Sequence, residues 1–200
     1  GGEIPPEIPG VSATLSTVGI TGPVIADGVS TALATIVLRT DENAAVVGIT
    51  PMLTVSGECV TMPGGGCAPS DGDGVSFCSI ASTKAELKSV ALVYPVFIPA
   101  GTIEFIAGGP AKLVISGPAN PATGRCSGPY QVATEDFYGN PTVAIADVTI
   151  NMSSTGTVGF FEDADCLTPS LDMLLPETFA SKTFYLRDGH LESAVLSAYD

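Results

Sequence analysis

The chain has 200 residues, 21 acidic against 7 basic side chains for a net charge of −14, 23 glycines, 16 prolines, 5 cysteines, 1 histidine and no tryptophan. Seven scattered cations give no phosphate-binding surface, which excludes nucleic acid as a partner. A hydrophobic content of 45% with only 14% charged residues supplies a packed core and places the chain outside the disordered class.

The first ten residues, GGEIPPEIPG, lack the basic and apolar regions of a signal peptide and read as a mature or trimmed end. Their prolines predict an extended arm over residues 1–10. Beyond the arm, Gly and Pro recur every several residues between segments rich in Val, Ile, Thr and Ser, which is the pattern of short strands. Ser30 to Thr40 alternates: Ala32, Ala34, Ile36 and Leu38 share one cleanly apolar face, and Thr31, Leu33, Thr35, Val37 and Arg39 form a mixed one. Further strands are predicted over Ala13–Val18, Met52–Ser56, Val75–Ala81, Ser89–Tyr94 and Thr102–Ala107. The longest uncharged apolar stretch, Val90 to Ile103, contains Pro95 and Pro99 and falls short of the roughly 20 residues of a membrane-spanning helix.

After Gly108-Gly109-Pro110 a second set is predicted: Lys112–Ser116, Tyr130–Asp136, Ala146–Ser153, Gly156–Phe161, Lys182–Arg187 and Ser193–Ala198. Turn residues separate them at Tyr138-Gly139-Asn140-Pro141 and Asp188-Gly189-His190. Two strand sets of about 100 residues each fit two antiparallel β-sandwiches, over 11–107 and 108–200. Each half carries a net −7, so neither is a charged tail.

The segment from Pro23 to Ile36, with Ala26-Asp27-Gly28 before a Thr-rich strand, resembles the bacterial Ig-like repeats of the intimin and invasin type. Asp73-Gly74-Val75 and Ser82-Thr83-Lys84-Ala85-Glu86-Leu87-Lys88-Ser89-Val90 extend the resemblance over most of residues 12–107. In the second half Gly109 to Ile115 resembles the start of a following repeat, and Asp136-Phe137-Tyr138-Gly139-Asn140-Pro141 the family's Gly-Asn-Pro turn. The stretches 159–166 and 183–188 are similar to Ig-like repeats of large bacterial surface proteins. No Ala-Asp-Gly element precedes Tyr130, so the second half departs from the first repeat's pattern. The resemblance implies two tandem Ig-like sandwiches in an extracellular spacer or adhesive module without enzymatic activity.

Five cysteines with no C-x-x-C and a single histidine fit disulfides better than zinc and imply an exported, oxidising location. Cys126 and Cys166, alone in the second half, pair with nothing left over. Cys67 and Cys78 flank the turn Ser70-Asp71-Gly72-Asp73-Gly74 symmetrically and are the favoured pair of the first half, with Cys59 to Cys67 and Cys59 to Cys78 open. The remaining cysteine, Cys59 in the favoured scheme, is expected as a free thiol, buried and inert, with an intermolecular linkage the alternative.

A Ser-His-acid triad would have to use His190, which sits in a turn with no nucleophile elbow in the chain. Calcium is the cofactor to test: Asp71 and Asp73 share one loop, and Glu162, Asp163 and Asp165 another. Solvated hairpin turns are the plainer reading of both, and Asp27-Gly28 is read as structural. Of the five tyrosines, Tyr130 and Tyr185 read as packing residues and Tyr138 as exposed.

The residues therefore favour a non-enzymatic structural or adhesive unit at the cell surface. Its partners would be neighbouring Ig-like domains, identical subunits, or a surface protein or glycan of a host or prey cell. A self-assembling fibre subunit, joined by strand addition through the amino-terminal arm, Val90–Phe97 and Cys59, is the alternative class. A carbohydrate-binding or carbohydrate-active protein comes third.

Overall fold

The computed structural model describes residue 8, residues 10–190 and residues 193–200; apart from Ile8 and Gly10, the arm expected over 1–10 lies outside them. Regular structure among the described residues is entirely β, in fifteen strands. The chain divides into two compact units, Gly1–Ala107 and Gly108–Asp200.

The first unit contains β1 (Thr17–Ile20), β2 (Val24–Ile25), β3 (Ala32–Val37), β4 (Met52–Val55), β5 (Val60–Thr61), β6 (Val75–Ser82), β7 (Leu87–Tyr94) and β8 (Ile98–Ile106). One sheet has the order β1-β3-β6-β5 and the other β2-β8-β7-β4. Only β2 with β8 is parallel. The alternation read in Ser30–Thr40 sets the core: Ala32, Ala34, Ile36 and Leu38 are all fully buried. Against them pack Val90 and Leu92 of β7 and Ile103 and Phe105 of β8. Two sheets thus share one apolar layer, and each large side chain in it contributes about 2 kcal/mol by leaving water.

The second unit contains β9 (Lys112–Ser116), β10 (Cys126–Glu135), β11 (Val148–Ser154), β12 (Gly159–Phe161), β13 (Asp172–Leu175), β14 (Ser181–Arg187) and β15 (Leu196–Tyr199). Its sheets run β12-β14-β10-β9 and β13-β11-β15. Tyr130, Val132, Phe160, Phe184 and Leu186 from one sheet meet Ile150, Met152, Met173 and Leu175 from the other. Tyr130 stacks on Phe184 at 5.5 Å between ring centres, and its hydroxyl donates to the Pro118 carbonyl at 2.9 Å.

Several expected strands begin elsewhere. The one expected from Ala13 starts at Thr17, because Ser12 and Ser16 close a turn (Ser16 N–H to the Ser12 carbonyl, 3.1 Å) and both hold the Arg39 backbone. The one expected from Gly156 starts at Gly159, since Thr155 is bonded to Val195. β10 begins at Cys126, upstream of Tyr130, and crosses Gly128-Pro129 where its register against β14 shifts; such a bulge lets a paired strand carry a proline.

One buried residue is unexpected from its type. Lys88, on β7, is fully buried. Its Nζ donates to the Glu86 carboxylate and to the Glu58 carbonyl, the latter at 2.7 Å, while the Glu58 N–H donates to Glu86 at 3.0 Å. The Lys88 bond, then the Glu58 N–H, holds the Glu86 carboxyl below its usual range. Gly57 lets the chain pass over this pair: its φ is +86°, and a Cβ there would collide with Glu86 and lie 2.7 Å from Lys88 Nζ. Gly57→Ala should therefore cost about 2 kcal/mol, read as a lower denaturation midpoint at unchanged m-value.

Candidate functional site

The second unit presents its most conspicuous surface at the end where β10 finishes and β14 begins. After Glu135 the chain makes a tight turn whose N–H groups point inward at one carboxylate. Asp136, 2% exposed, accepts from the N–H groups of Tyr138 and Asn140 at 2.9 Å each. It also accepts from the Asn140 side-chain amide at 2.8 Å and from the Gly108 N–H at 2.9 Å. Burial works against the charged carboxyl, but these bonds, Asn140's first, outweigh it and hold Asp136 below the usual carboxylate range. Gly139, at φ +88°, closes the turn.

What the turn carries outward is aromatic. Phe137 is 79% exposed and Tyr138 47%, their rings edge to face at 5.2 Å. At the same end Val143, Ile145 and Phe179 are exposed, fixed by the Ala144 N–H to Phe179 carbonyl bond at 2.9 Å. Apolar side chains held outward on a stiff turn are suited to contact with another macromolecule. In sequence only Tyr138 stands out as exposed; Phe137, Val143, Ile145 and Phe179 do not, although the run Asp-Phe-Tyr-Gly-Asn is a signal for the first of these.

The acidic loops use their carboxylates on their own backbone. Asp71 accepts from the N–H groups of Asp73 and Val75, both at 2.9 Å. Asp163 accepts from Asp165, Leu167 and Thr168, and these bonds, Leu167's first, lower its pKa. Glu162 lies 3.6 Å from Lys182. Among the described residues no three His, Cys, Asp or Glu side chains are grouped to hold a metal ion. Asp27 caps the N–H groups of Val29 and Ser30 at 2.8 and 2.6 Å.

Cys67 is bonded to Cys78 and Cys126 to Cys166. Cys59 is free but exposed, not buried as expected, because it lies in the turn between Gly57 and β5. Its carbonyl accepts from Thr83 at the far end of β6, five residues from Cys78. At about 3.3 Å per residue that is some 16 Å, beyond the roughly 7 Å a disulfide spans. Under native, non-reducing conditions a thiol reagent should add once, at Cys59, and five times after reduction and unfolding, as intact and peptide mass would record.

His190 accepts or donates at Nδ1 with the Thr157 hydroxyl at 3.0 Å. Asp188 bonds the Thr157 hydroxyl and the His190 backbone N–H, so the acid does not orient the imidazole and no hydroxyl-histidine-acid relay is assembled there. Asp188 and His190 edge a cavity of about 430 Å³ bounded by Pro118–Pro121, Tyr130, Leu186 and Leu196. A second, of about 280 Å³, is bounded by Lys112, Leu113, Ala144, Val148 and Asp200.

No protein-family model matches the sequence, and no curated protein matches it. Among solved structures, InvD of Yersinia pseudotuberculosis is similar over 88% of this chain, with a TM-score of 0.52 at 14% identity. Invasin, described as a bacterial integrin-binding protein, is similar over 94% of it, with a TM-score of 0.51 at 15% identity. The chain spans 56% of the first and 37% of the second. At these identities the likeness is one of fold: the chain has the bacterial Ig-like fold of the intimin and invasin type.

Proposed function

We propose that this chain is a non-enzymatic structural and adhesive module of a bacterial surface protein, and that its adhesive contact is the Phe137–Tyr138 turn with Val143, Ile145 and Phe179 beside it. The observation that carries the reading is the pairing of an adhesin-type fold with an aromatic turn held rigid from beneath by Asp136. Two disulfides brace the units, in keeping with an extracellular location, and no described helix is long and apolar enough to cross a membrane. The partner is a surface protein: the turn offers apolar and aromatic area, and the cation beside it, Lys112, is already paired with Glu135 at 3.2 Å.

Beads coated with the purified chain should adhere to epithelial cells above the level of albumin-coated beads. Phe137→Ser with Tyr138→Ser should return adhesion to that level with an unchanged unfolding midpoint. Adhesion equal to albumin in the unaltered chain would overturn the adhesive part and leave a spacer.

A further inference from the structure

The outer face of β1, β3 and β6 in the first unit is bare of charge. The side chains that alternate with the buried Ala34, Ile36, Ser76 and Cys78 form cross-strand rows there. In the central row Thr35 has Gly19 on one side and Phe77 on the other. Ala68 comes next, its N–H donating to the Phe77 carbonyl at 2.9 Å. Leu33 with Ser79 and Val37 with Val75 make the flanking rows. None of these positions is charged, in a chain holding 21 acids. The nearest charged residues along β3 and β6, Asp27, Arg39, Asp73 and Lys84, stand outside both strands. The outward positions of the sheet β12-β14-β10-β9 differ, since they include Lys112, Glu135 and Arg187.

Phe77 rises from this face. It is 47% exposed although its strand is paired on both sides. Its row neighbours are small: Ala68 and Thr35, then Gly19, where a Cβ would meet nothing within 4 Å. The disulfide of Cys67 with Cys78 fixes β6 at the very next residue. Among the described residues the hydroxyls of Thr17, Thr35 and Ser79 make no hydrogen bond within the chain. Thr21, by contrast, uses its hydroxyl to accept from the Leu33 N–H at 2.8 Å.

We propose that this face binds a neutral cell-surface oligosaccharide, one sugar ring stacked on Phe77 and the adjoining sugar hydroxyls bonded to Thr35 and Ser79. A pyranose presents an apolar C–H face to an aromatic ring and hydroxyls at its rim, which pair with hydroxyl side chains as donor or acceptor. A ring between unused hydroxyls on a stiff sheet meets both needs. Area and charge set the other occupants aside. Strands about 4.8 Å apart, with residues about 3.4 Å apart along them, give a face of roughly 15 by 17 Å. A stable protein interface takes about 800 Å² from each partner, so the face is too small for a protein and suits a short glycan. A second copy would also bring a further −14 to meet the first, and an acidic glycan finds no cation on these strands. The site shares no residue with the Phe137–Tyr138 turn.

The test applies the full chain to a printed array of neutral and sialylated cell-surface glycans, with light scattering on the same samples. Neutral glycans should be retained, and Phe77→Ser should weaken their retention by at least about tenfold. Thr35→Glu, which sets a charge and a larger side chain beside the ring, should do the same, while Phe77→Tyr restores binding. Each variant is compared at an unchanged unfolding midpoint. Retention of no neutral glycan, retention of sialylated glycans alone, or undiminished retention by Phe77→Ser would overturn the proposal. A dimer of the unaltered chain that Phe77→Ser dissociates would overturn it too, by making a second copy the occupant.

Discussion

Asp136→Ala should lower the unfolding free energy of the second unit by about 4 kcal/mol, because it strands inward-facing donors of Gly108, Tyr138 and Asn140 around a site only 2% exposed. Each buried donor left without a partner costs about 1–3 kcal/mol, and partial rehydration of the turn keeps the total below the sum. Chemical denaturation at neutral pH would read it. The charge adds a pH signature. The folded carboxyl titrates below its unfolded value, which is about 3.9. The unfolded chain therefore takes up the proton first as pH falls. The stabilisation is complete above the unfolded pKa and is lost as pH drops through the folded one. Asp136→Asn should remove this contribution, so that its stability falls less steeply with acidification than that of the unaltered chain. An equal acid slope in the two would show that the charge is not what the turn depends on.

The predicted fold was legible where a strand is long enough to display a period of two. Ala32–Leu38, β3 and the residue after it, shows four inward positions in seven residues, and all four are buried. β2 and β5 have two residues each, too few to display any period, and their membership is settled by pairing with β8 and β6 far along the chain. β13 alternates over only four residues, Asp172–Leu175, inside a stretch that reads as loop. Lys88 defeats composition outright: a lysine reads as surface, and what makes it a core residue is an ion pair roofed by Gly57 and Glu58, thirty positions upstream.

The site residues divide along the same line. The Asp136 turn is local, so its residues declare it. The acidic loops are local too, and there spacing leaves both readings open, because an acid two residues before another serves equally well as a cap for its own backbone, the use Asp71 and Asp163 make of it. Cys67 and Cys78 face each other at 4.2 Å between Cα atoms, close to the roughly 4.5 Å of a non-hydrogen-bonded cross-strand pair, and the turn between them carries that symmetry in sequence.

Replacing Cys126 and Cys166 together by serine should cost the second unit about 4 kcal/mol, the chain-entropy value for releasing a loop whose ends are 40 residues apart. The same exchange at Cys67 and Cys78, 11 apart, should cost the first unit about 1 kcal/mol less, because the penalty grows only with the logarithm of loop length. The longer bridge also has more to hold. It ties the first residue of β10, opposite Arg187, to a loop that Asp163 has already folded on itself, so its loss frees a preformed loop from the sheet without melting the loop. Exchange in the serine variant should accordingly rise around Cys126–Ser127 and the facing end of β14 while the amides of 165–168 stay protected. Uniform exposure of both would mean that the disulfide, and not the Asp163 carboxylate, is what folds the loop.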